Sequence, residues 1–143
     1  MSSSRTRESS LWNWLNDHKP ALGCVMRRVE DVLQRGTPDV PLAIYKGQTF
    51  VLELKSVPRR PRADVWCELT SDQASFLRLW QRSGGAAFVL VQVGVAAAAR
   101  RYLVAADDCH ELLRPISEDT LYGRSKLQTD NPTAEDVIEC CIR

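Results

Sequence analysis

A chain of 143 residues with 19 basic and 18 acidic side chains is long enough for one ordinary domain with a real core, and too short for two comfortable ones. Its 44% hydrophobic content and nearly balanced charge exclude a disordered tail and a histone-like polycation. Any binding to nucleic acid must therefore come from local patches of positive charge.

The cysteines and the apolar segments predict a cytoplasmic protein without a membrane partner. The five cysteines are odd in number, include an adjacent pair and lack Cys-x-x-Cys spacing. They indicate small buried side chains in a reducing compartment, not a disulfide framework or a zinc site. Met1 to Ser10 has no apolar stretch typical of a signal peptide, and Ala86 to Ala99 is too short to span a bilayer.

The N-terminal part of the chain predicts a flexible segment, a short helix and an extended segment. Residues 1–10 are rich in serine and charge, and we expect them to be flexible. Ser9-Ser10 can cap a helix that runs to about Asn16. Cys24 to Glu30 fits either a short strand or a helical turn, and we favour the extended form.

A hairpin and a basic loop follow. Val40 to Tyr45 and Gln48 to Ser56 have strand composition, and Lys46-Gly47 between them is a good hairpin signal. Val57-Pro58-Arg59-Arg60-Pro61-Arg62 cannot continue a central strand, because each proline lacks an N–H. We predict a mobile basic loop there.

The rest of the chain alternates helices and strands. Thr70-Ser71-Asp72-Gln73 has capping-box spacing and predicts the start of a helix that ends at Ser83-Gly84-Gly85. Further predicted elements are strands at Ala86–Val93 and Arg101–Ala105 and helices at Asp107–Leu113 and Thr133–Cys141. Together, the predicted helices and strands indicate an α/β layered domain around a mixed sheet. The sequence has no glycine-rich phosphate-binding motif, which argues against an enzyme that uses nucleoside triphosphates.

Two carboxylates and a lysine stand out on the predicted hairpin. Asp39 closes a turn that enters the first strand, while Glu53 and Lys55 lie two residues apart on the second and share one sheet face. Hydrolysis of a phosphodiester needs charge neutralisation and a source of hydroxide, and a hard divalent cation supplies both. The two carboxylates and the backbone carbonyl of Leu54 are the oxygen ligands that magnesium prefers. Lys55 could orient water, stabilise developing charge or act as a base.

The competing interpretation is a surface ion pair, because Glu-x-Lys on a strand usually lies on the solvent face. The context favours a catalytic site. An acid follows a Gly-x-Pro turn, a hairpin brings the second acid, a basic loop comes directly after it, and a capped helix follows.

Four motifs together resemble the PD-(D/E)xK nucleases, and the small phage-type VRR-NUC proteins among them. In chain order they are Arg28-Val29-Glu30, Gly36-Thr37-Pro38-Asp39-Val40, Glu53-Leu54-Lys55 and Leu69-Thr70-Ser71-Asp72-Gln73. The resemblance covers about Leu11 to Leu113 and predicts a nuclease domain there. The extension Arg114 to Arg143 lies outside it, and we expect it to pack on the domain or to take part in a dimer interface.

The resemblance implies a restriction-endonuclease-like three-layer domain, with a central mixed β-sheet flanked by helices. It further implies that Asp39 and Glu53 bind Mg2+ or Mn2+, that Lys55 is the catalytic lysine, and that Glu30 is an additional site acid. If the local conformation differs, Asp31 would face the site in place of Glu30. Gln73 would be a polar helix residue facing the site, although the capping box gives it a sufficient structural role.

Positive charge surrounds the predicted acidic centre. The candidate DNA-binding residues are Arg27, Arg28, Arg59, Arg60, Arg62 and Trp66. Arginine contacts to phosphate give affinity without sequence selectivity, and an exposed tryptophan can stack on a base of an opened strand. The alternative for the loop is a solvated segment that only keeps the chain soluble.

The leading hypothesis is a Mg2+- or Mn2+-dependent DNA endonuclease that acts on branched or structured DNA, such as Holliday junctions, as a homodimer. The junction preference and the dimer are implied by the resemblance. The alternatives are a less selective nuclease or nickase in repair or packaging, and a non-catalytic nucleic-acid-binding module of the same fold. A purely structural interaction protein would explain the tryptophan-rich first helix but not the acids.

Overall fold

The computed structural model describes residues 4–29, 36–129 and 131–142, with side chains described from Arg7 onward. The helices are α1 (Ser4–His18), α2 (Ser71–Arg82), α3 (Glu118–Arg124) and α4 (Ala134–Cys141), with 3-10 helices at Ala96–Ala98 and Ala106–Leu113. The strands are β1 (Cys24–Arg27), β2 (Val40–Tyr45), β3 (Gln48–Val57), β4 (Ala86–Val93) and β5 (Arg100–Ala105). None of the helices in the described part of the chain combines the length and the hydropathy needed to traverse a bilayer.

The strands form one mixed sheet in the order β1-β2-β3-β4-β5. The β3–β4 pair is parallel and is connected through α2, whereas the other three pairs are antiparallel. β3 and β4 are buried along nearly their whole length, as expected for a parallel pair covered on both faces. In β1, buried and exposed residues alternate, because that edge strand has one face in solvent.

Apolar side chains cover the sheet on both faces. On one face, α1 and α4 pack against the strands, with Leu11, Leu15 and Ile138 fully buried. On the other face, α2 and the second 3-10 helix contribute Leu77 and Leu112 to a separate core. The predicted arrangement of three layers around a central mixed sheet is confirmed.

Local signals correctly located the hairpin and α2. Lys46 and Gly47 both have positive φ angles, 50° and 76°, as a two-residue turn matched to strand twist requires. Thr70 caps α2 with both hydrogen bonds of a capping box. All five cysteines are free thiols, and only Cys140 is not fully buried, which agrees with their expected role in packing.

The N-terminal helix is longer than the sequence suggested. α1 begins at Ser4, so residues 4–10 are helical where we predicted a flexible segment, and Ser9-Ser10 lies inside the helix and does not cap it. The Ser9 hydroxyl accepts a hydrogen bond from Arg28 at 3.0 Å, which ties this part of α1 to the end of β1. A tertiary contact thus overrides the weak helix propensity of serine.

The C-terminal extension completes the domain. Val137 and Ile138 of α4 are fully buried in the core on the α1 face. The backbone of Ile116 exchanges two hydrogen bonds with Val65, at 2.7 and 2.8 Å. α3 was not predicted, although Ser117 caps it by accepting from the Thr120 amide. Residues of α4 thus pack on the domain, and a part of the extension in a dimer interface stays a prediction.

Candidate functional site

Asp39 lies where β2 and β3 separate. The register of the two strands is interrupted between Val40 and Ala43, so β2 leaves the edge of β3 beyond Leu52. Beyond this point the Asp39 carboxylate replaces the β2 backbone as a partner of β3, because it accepts a hydrogen bond from the Leu54 amide at 2.9 Å. Because the N–H and C=O of one strand residue point to the same side, the Leu54 carbonyl is directed toward this opening as well.

Glu53 is the most deeply buried acid of the site, with 2% of its side chain exposed. Gln73 donates to its Oε1 at 3.3 Å, whereas the buried Oε2 has no hydrogen-bond partner among the described residues. Burial, with the adjacent Asp39 as the second cause, raises the pKa of Glu53 to about 10, against an opposing effect of Lys55. Without a cation, the burial of Glu53 and the adjacent Asp39 therefore favour the protonated form of this acid.

Lys55 shares the face of Glu53 and is 8% exposed. Its ammonium donates to the backbone carbonyl of Glu68 at 3.4 Å. Glu68 has a φ of 56°, in the left-handed region that non-glycine residues rarely adopt. A strained backbone residue thus supplies a contact that holds the lysine, as is common at functional sites.

Gln73 makes hydrogen bonds both to the cap of α2 and to Glu53. Its side-chain oxygen accepts from the Thr70 amide at 3.0 Å, which completes the capping box of α2. Its side-chain amide donates to Glu53 at 3.3 Å. The helix cap therefore orients Gln73 toward the acidic site, and the two interpretations are compatible.

A further acid, Glu8 on α1, was missed by the sequence reasoning. Burial raises the pKa of Glu8, and the charge of Asp39 raises it further, while Lys55, Arg28 and Arg7 act in the opposite direction. Glu8 is therefore within electrostatic reach of Asp39 and Lys55.

A sequence signal for Glu8 existed. Glu8, Leu11 and Leu15 follow the i, i+3, i+7 spacing of one helix face, and both leucines are fully buried. Extending the predicted helix by one turn toward the N-terminus would have placed Glu8 on the inward side. The serine-rich composition concealed this pattern.

The described residues fit a hard divalent cation, though with few protein ligands. They contain no group of three or more His, Cys, Asp or Glu arranged to hold a metal ion. The available donors are the carboxylates of Asp39 and Glu53 and the Leu54 carbonyl, and magnesium is commonly held by one or two carboxylates plus waters. The unpartnered buried oxygen of Glu53 is the atom that such a cation would satisfy. The predicted site acid Glu30, with Asp31 beside it, lies outside the described residues.

Gly36 fixes how Asp39 approaches α2. Its φ is 86°, and a Cβ built on it would lie 2.6 Å from the Asp72 carbonyl oxygen in the first turn of α2. Only glycine can adopt this φ and lie this close to the Asp72 carbonyl without displacing the helix. Gly36 therefore sets the spacing between the turn that carries Asp39 and the helix that carries Gln73.

The basic loop is anchored by its first arginine. Two nitrogens of Arg59 donate to the two carboxylate oxygens of Glu118, each at 2.9 Å, and a third donates to the Ala98 carbonyl at 2.6 Å. Hydrogen bonds from Arg59, and also from Tyr102, keep the pKa of Glu118 below its usual range, against the effect of burial. These bonds fix Arg59 in place where we predicted a mobile loop, and its predicted contact with DNA stays a prediction.

The other predicted DNA-binding residues remain near the surface. Arg27, Arg60 and Arg62 are exposed, and 54% of Trp66 is exposed. Arg28 is half-buried and bonds to Ser9 on α1. Arg28 and Arg7 lower the pKa of Glu8 through their charge, so positive charge from these two residues reaches the acidic centre.

Comparisons with known proteins add little to this geometry. No protein-family model matches the chain, and no curated protein matches it. Among solved structures, it is similar to Hjc, a Holliday junction resolvase from the archaeal hyperthermophile Archaeoglobus fulgidus, with a TM-score of 0.47 and 18% sequence identity. The similarity covers 74% of this chain and 75% of that one. At these values it carries no argument about activity, so the function must be inferred from the residues of the site.

Proposed function

We propose that this protein is a divalent-metal-dependent endonuclease that hydrolyses phosphodiester bonds in branched or structured DNA. The observation that carries the proposal is the buried Glu53 carboxylate, which has one unpartnered oxygen and lies beside Asp39 and Lys55. A buried acid next to a second acid destabilises a fold unless a positively charged partner compensates for its charge. A cation bound between the acids gives both carboxylates a function.

In this proposal, Asp39, Glu53 and the Leu54 carbonyl hold Mg2+ or Mn2+. When bound, the cation neutralises charge on the scissile phosphate and makes hydroxide available near neutral pH. The protein's part is to keep the ligands oriented. The Leu54 amide fixes Asp39 and the Gln73 amide fixes Glu53.

Lys55 acts next to the ligands. Its ammonium is held by the Glu68 carbonyl on the same face as Glu53, where it can stabilise negative charge that develops on the phosphate. Glu8 contributes a further acid that can help to orient water or a hydrated cation. Removing a group of the Lys55 type commonly lowers a rate by about 10²–10⁴-fold.

DNA would be held by exposed positive charge around this centre. Arg27, Arg60 and Arg62 are exposed and can contact phosphates, and Arg28 offsets the charge of Glu8. The sequence resemblance to the VRR-NUC branch of the PD-(D/E)xK nucleases supports branched DNA as the substrate. It also supports a homodimer, because a symmetric two-strand cut needs two sites and one domain carries one.

Two alternatives stay open to test. A less selective nuclease or nickase would use the same site on unbranched DNA. A non-catalytic DNA-binding module of the same fold would not need Asp39, Glu53 and Lys55, because carboxylates that no cation neutralises repel phosphate.

The deciding experiment is a cleavage assay on a labelled four-way junction and a matched linear duplex, with Mg2+, Mn2+ or a chelator. We expect metal-dependent cutting of the junction that is lost in Asp39→Asn and falls by about 10²–10⁴-fold in Lys55→Ala. The matched control is Lys46→Ala, which removes an exposed lysine from the hairpin turn, where it pairs with Glu139 at 3.0 Å. Cutting that survives Asp39→Asn would refute the site, and equal cutting of both substrates would favour the less selective nuclease.

A separate measurement addresses the homodimer. Light scattering of the purified protein should give about twice the chain mass, alone or with the junction. A monomer in both cases would leave a nickase as the better description of the same site.

A further inference from the structure

A pocket of about 310 Å3 opens beside the acidic site and is not used in the mechanism above. Its lining residues are Arg7, Val57, Pro58, Arg60, Asp64, Trp66 and Glu68. Small-ligand pockets range from about 300 to 1,000 Å3, so this one has room for one small ring system. A base within a stacked duplex could not enter it.

Two residues join the pocket to the catalytic groups. Glu68 lines the pocket and gives its backbone carbonyl to the Lys55 ammonium at 3.4 Å. Arg7 also lines the pocket and donates to the Ser56 carbonyl, next to Lys55, at 3.0 Å. A group in the pocket would therefore lie close to Lys55.

The Trp66 indole is presented to the pocket by a fixed backbone. Val65 and Cys67 are 5% and 2% exposed, so the residues on both sides of Trp66 are held in the core. The bridge from Val65 to Ile116 fixes the segment further. Trp66 itself is 54% exposed, so much of this aromatic residue is open to contact. Nucleic-acid bases of every type stack on aromatic faces.

The charges of the pocket fit a whole nucleotide better than a phosphate alone. Arg7 and Arg60 provide guanidinium groups that can contact a phosphate. Asp64 and Glu68 provide carboxylates, which repel a phosphate but accept hydrogen bonds from the amino groups of cytosine, adenine or guanine. Thymine lacks an amino group and would make a poorer partner.

We propose that this pocket binds the base of one unpaired nucleotide next to the cleavage point, stacked on Trp66 and with its amino group on Asp64 or Glu68. The identification of the ligand as DNA rests on the proposed function. The substrate class that follows is branched DNA with an unpaired nucleotide at the branch point, preferred over a fully paired junction. Unpaired bases with an amino group are favoured over thymine.

The test measures binding without cleavage. Fluorescence anisotropy in a chelating buffer would compare three labelled three-way junctions that carry an unpaired cytidine, an unpaired thymidine or an abasic residue at the branch. For the wild-type protein we expect roughly tenfold tighter binding of the cytidine junction than of the abasic one, as stacking of one base implies. The affinity for the thymidine junction should lie between those for the cytidine and abasic junctions.

The variants separate stacking from hydrogen bonding. Trp66→Ala should bind the cytidine and abasic junctions equally, while Trp66→Phe, which keeps an aromatic face, should retain most of the difference. The double variant Asp64→Ala with Glu68→Ala, which removes both acceptors, should lose the preference for cytidine over thymidine but keep the preference for a base over an abasic residue. Thermal unfolding of each variant checks that the fold is intact.

The outcomes distinguish this inference from the proposed function. Equal binding of the cytidine and abasic junctions by the wild-type protein, or an unchanged ratio in Trp66→Ala, would refute the pocket while leaving the cleavage assay unaffected. A ratio that depends on Trp66, together with no cleavage in any metal, would support the pocket and refute the nuclease. If the double variant still binds the cytidine junction more tightly than the thymidine junction, the role of the two carboxylates is refuted.

Discussion

β3 and β4 are neighbouring parallel strands that differ in what they bury. Glu53 pairs in register with Val89, and Lys55 pairs with Val91, so charged and apolar residues occupy equivalent positions on one sheet face. Both valines are fully buried within the core beneath α2. The β4 positions favour stability, whereas β3 buries two ionisable groups at a cost in stability that the proposed function would account for.

The difference arises from what lies on the outer side of each strand. β4 pairs with β5 along the residues opposite the site, from Phe88 to Val93. β3 loses its other partner where β2 turns away beyond Val40, and Asp39 occupies the opening. Ionisable side chains are tolerated on β3 because this opening brings polar partners within reach.

The largest expected effect on stability comes from placing a glutamate on β4 at Val89, the position that pairs with Glu53. Val89→Glu would bury a carboxylate without a partner, and we expect the free energy of unfolding to fall by about 3–5 kcal/mol, measured by urea denaturation. The control Val89→Thr, which is similar in shape and adds only a hydroxyl, should cost about 1–3 kcal/mol. A Val89→Glu protein as stable as the wild type would mean that the β4 face is not the dry core described above.

A smaller effect is expected at the turn that carries Asp39. Gly36→Ala places a Cβ at a φ of 86° and 2.6 Å from the Asp72 carbonyl oxygen, while Gly47→Ala meets a similar φ of 76° with no atom within 4 Å. The unfavourable φ alone should cost about 1–3 kcal/mol in each variant. Gly36→Ala should be the less stable of the two, and only this variant should also lose cleavage activity. Equal losses in both assays would contradict the role of Gly36 in positioning Asp39.

Glu53 should make the stability of the metal-free protein depend on pH. Because burial raises the pKa of Glu53 from 4.5 to about 10, the folded state holds a proton that the unfolded state loses. Stability attributable to this group should therefore decline as the pH rises above about 4.5. Glu53→Gln should remove that decline, so its melting temperature in chelator should exceed that of the wild type at pH 8 and approach it near pH 5. A constant difference between the two proteins across this range would contradict the assignment.

The smallest effects separate two adjacent arginines. Arg59 bonds to Glu118, whereas Arg60 is exposed at the pocket. We expect Arg59→Ala to lower the free energy of unfolding by about 1 kcal/mol with little change in the salt dependence of DNA binding. Arg60→Ala should leave the stability unchanged and reduce the slope of log affinity against log salt by about 1. The reverse pattern would restore Arg59 as a DNA-binding residue.

The sequence was sufficient for features that rest on local chemistry. The turn at Lys46-Gly47, the capping box at Thr70 and the apolar run of β4 each carry their own signal, and the bounds of β2 and β4 match the predicted ones. The arrangement of Glu53 and Lys55 on one face also follows from the two-residue period of a strand.

Features that depend on distant partners were not predictable. Glu118 lies 59 residues from Arg59, and no local pattern relates them. Glu8 was hidden by a serine-rich segment whose helix is fixed by a contact to Arg28, 19 residues beyond Ser9. The exposure of Trp66 was anticipated, but its pocket required the bridge from Val65 to Ile116.

The most direct test of the acidic site is calorimetric titration of Mn2+ into the metal-free protein near pH 7.5, in two buffers of different ionisation enthalpy. We predict saturable binding accompanied by proton release, because the raised pKa of Glu53 means that the cation must displace a proton. Glu53→Gln should lose both the binding and the proton release. Identical titrations for the two proteins, or no binding by the wild type, would contradict the proposal that these buried carboxylates hold a catalytic metal.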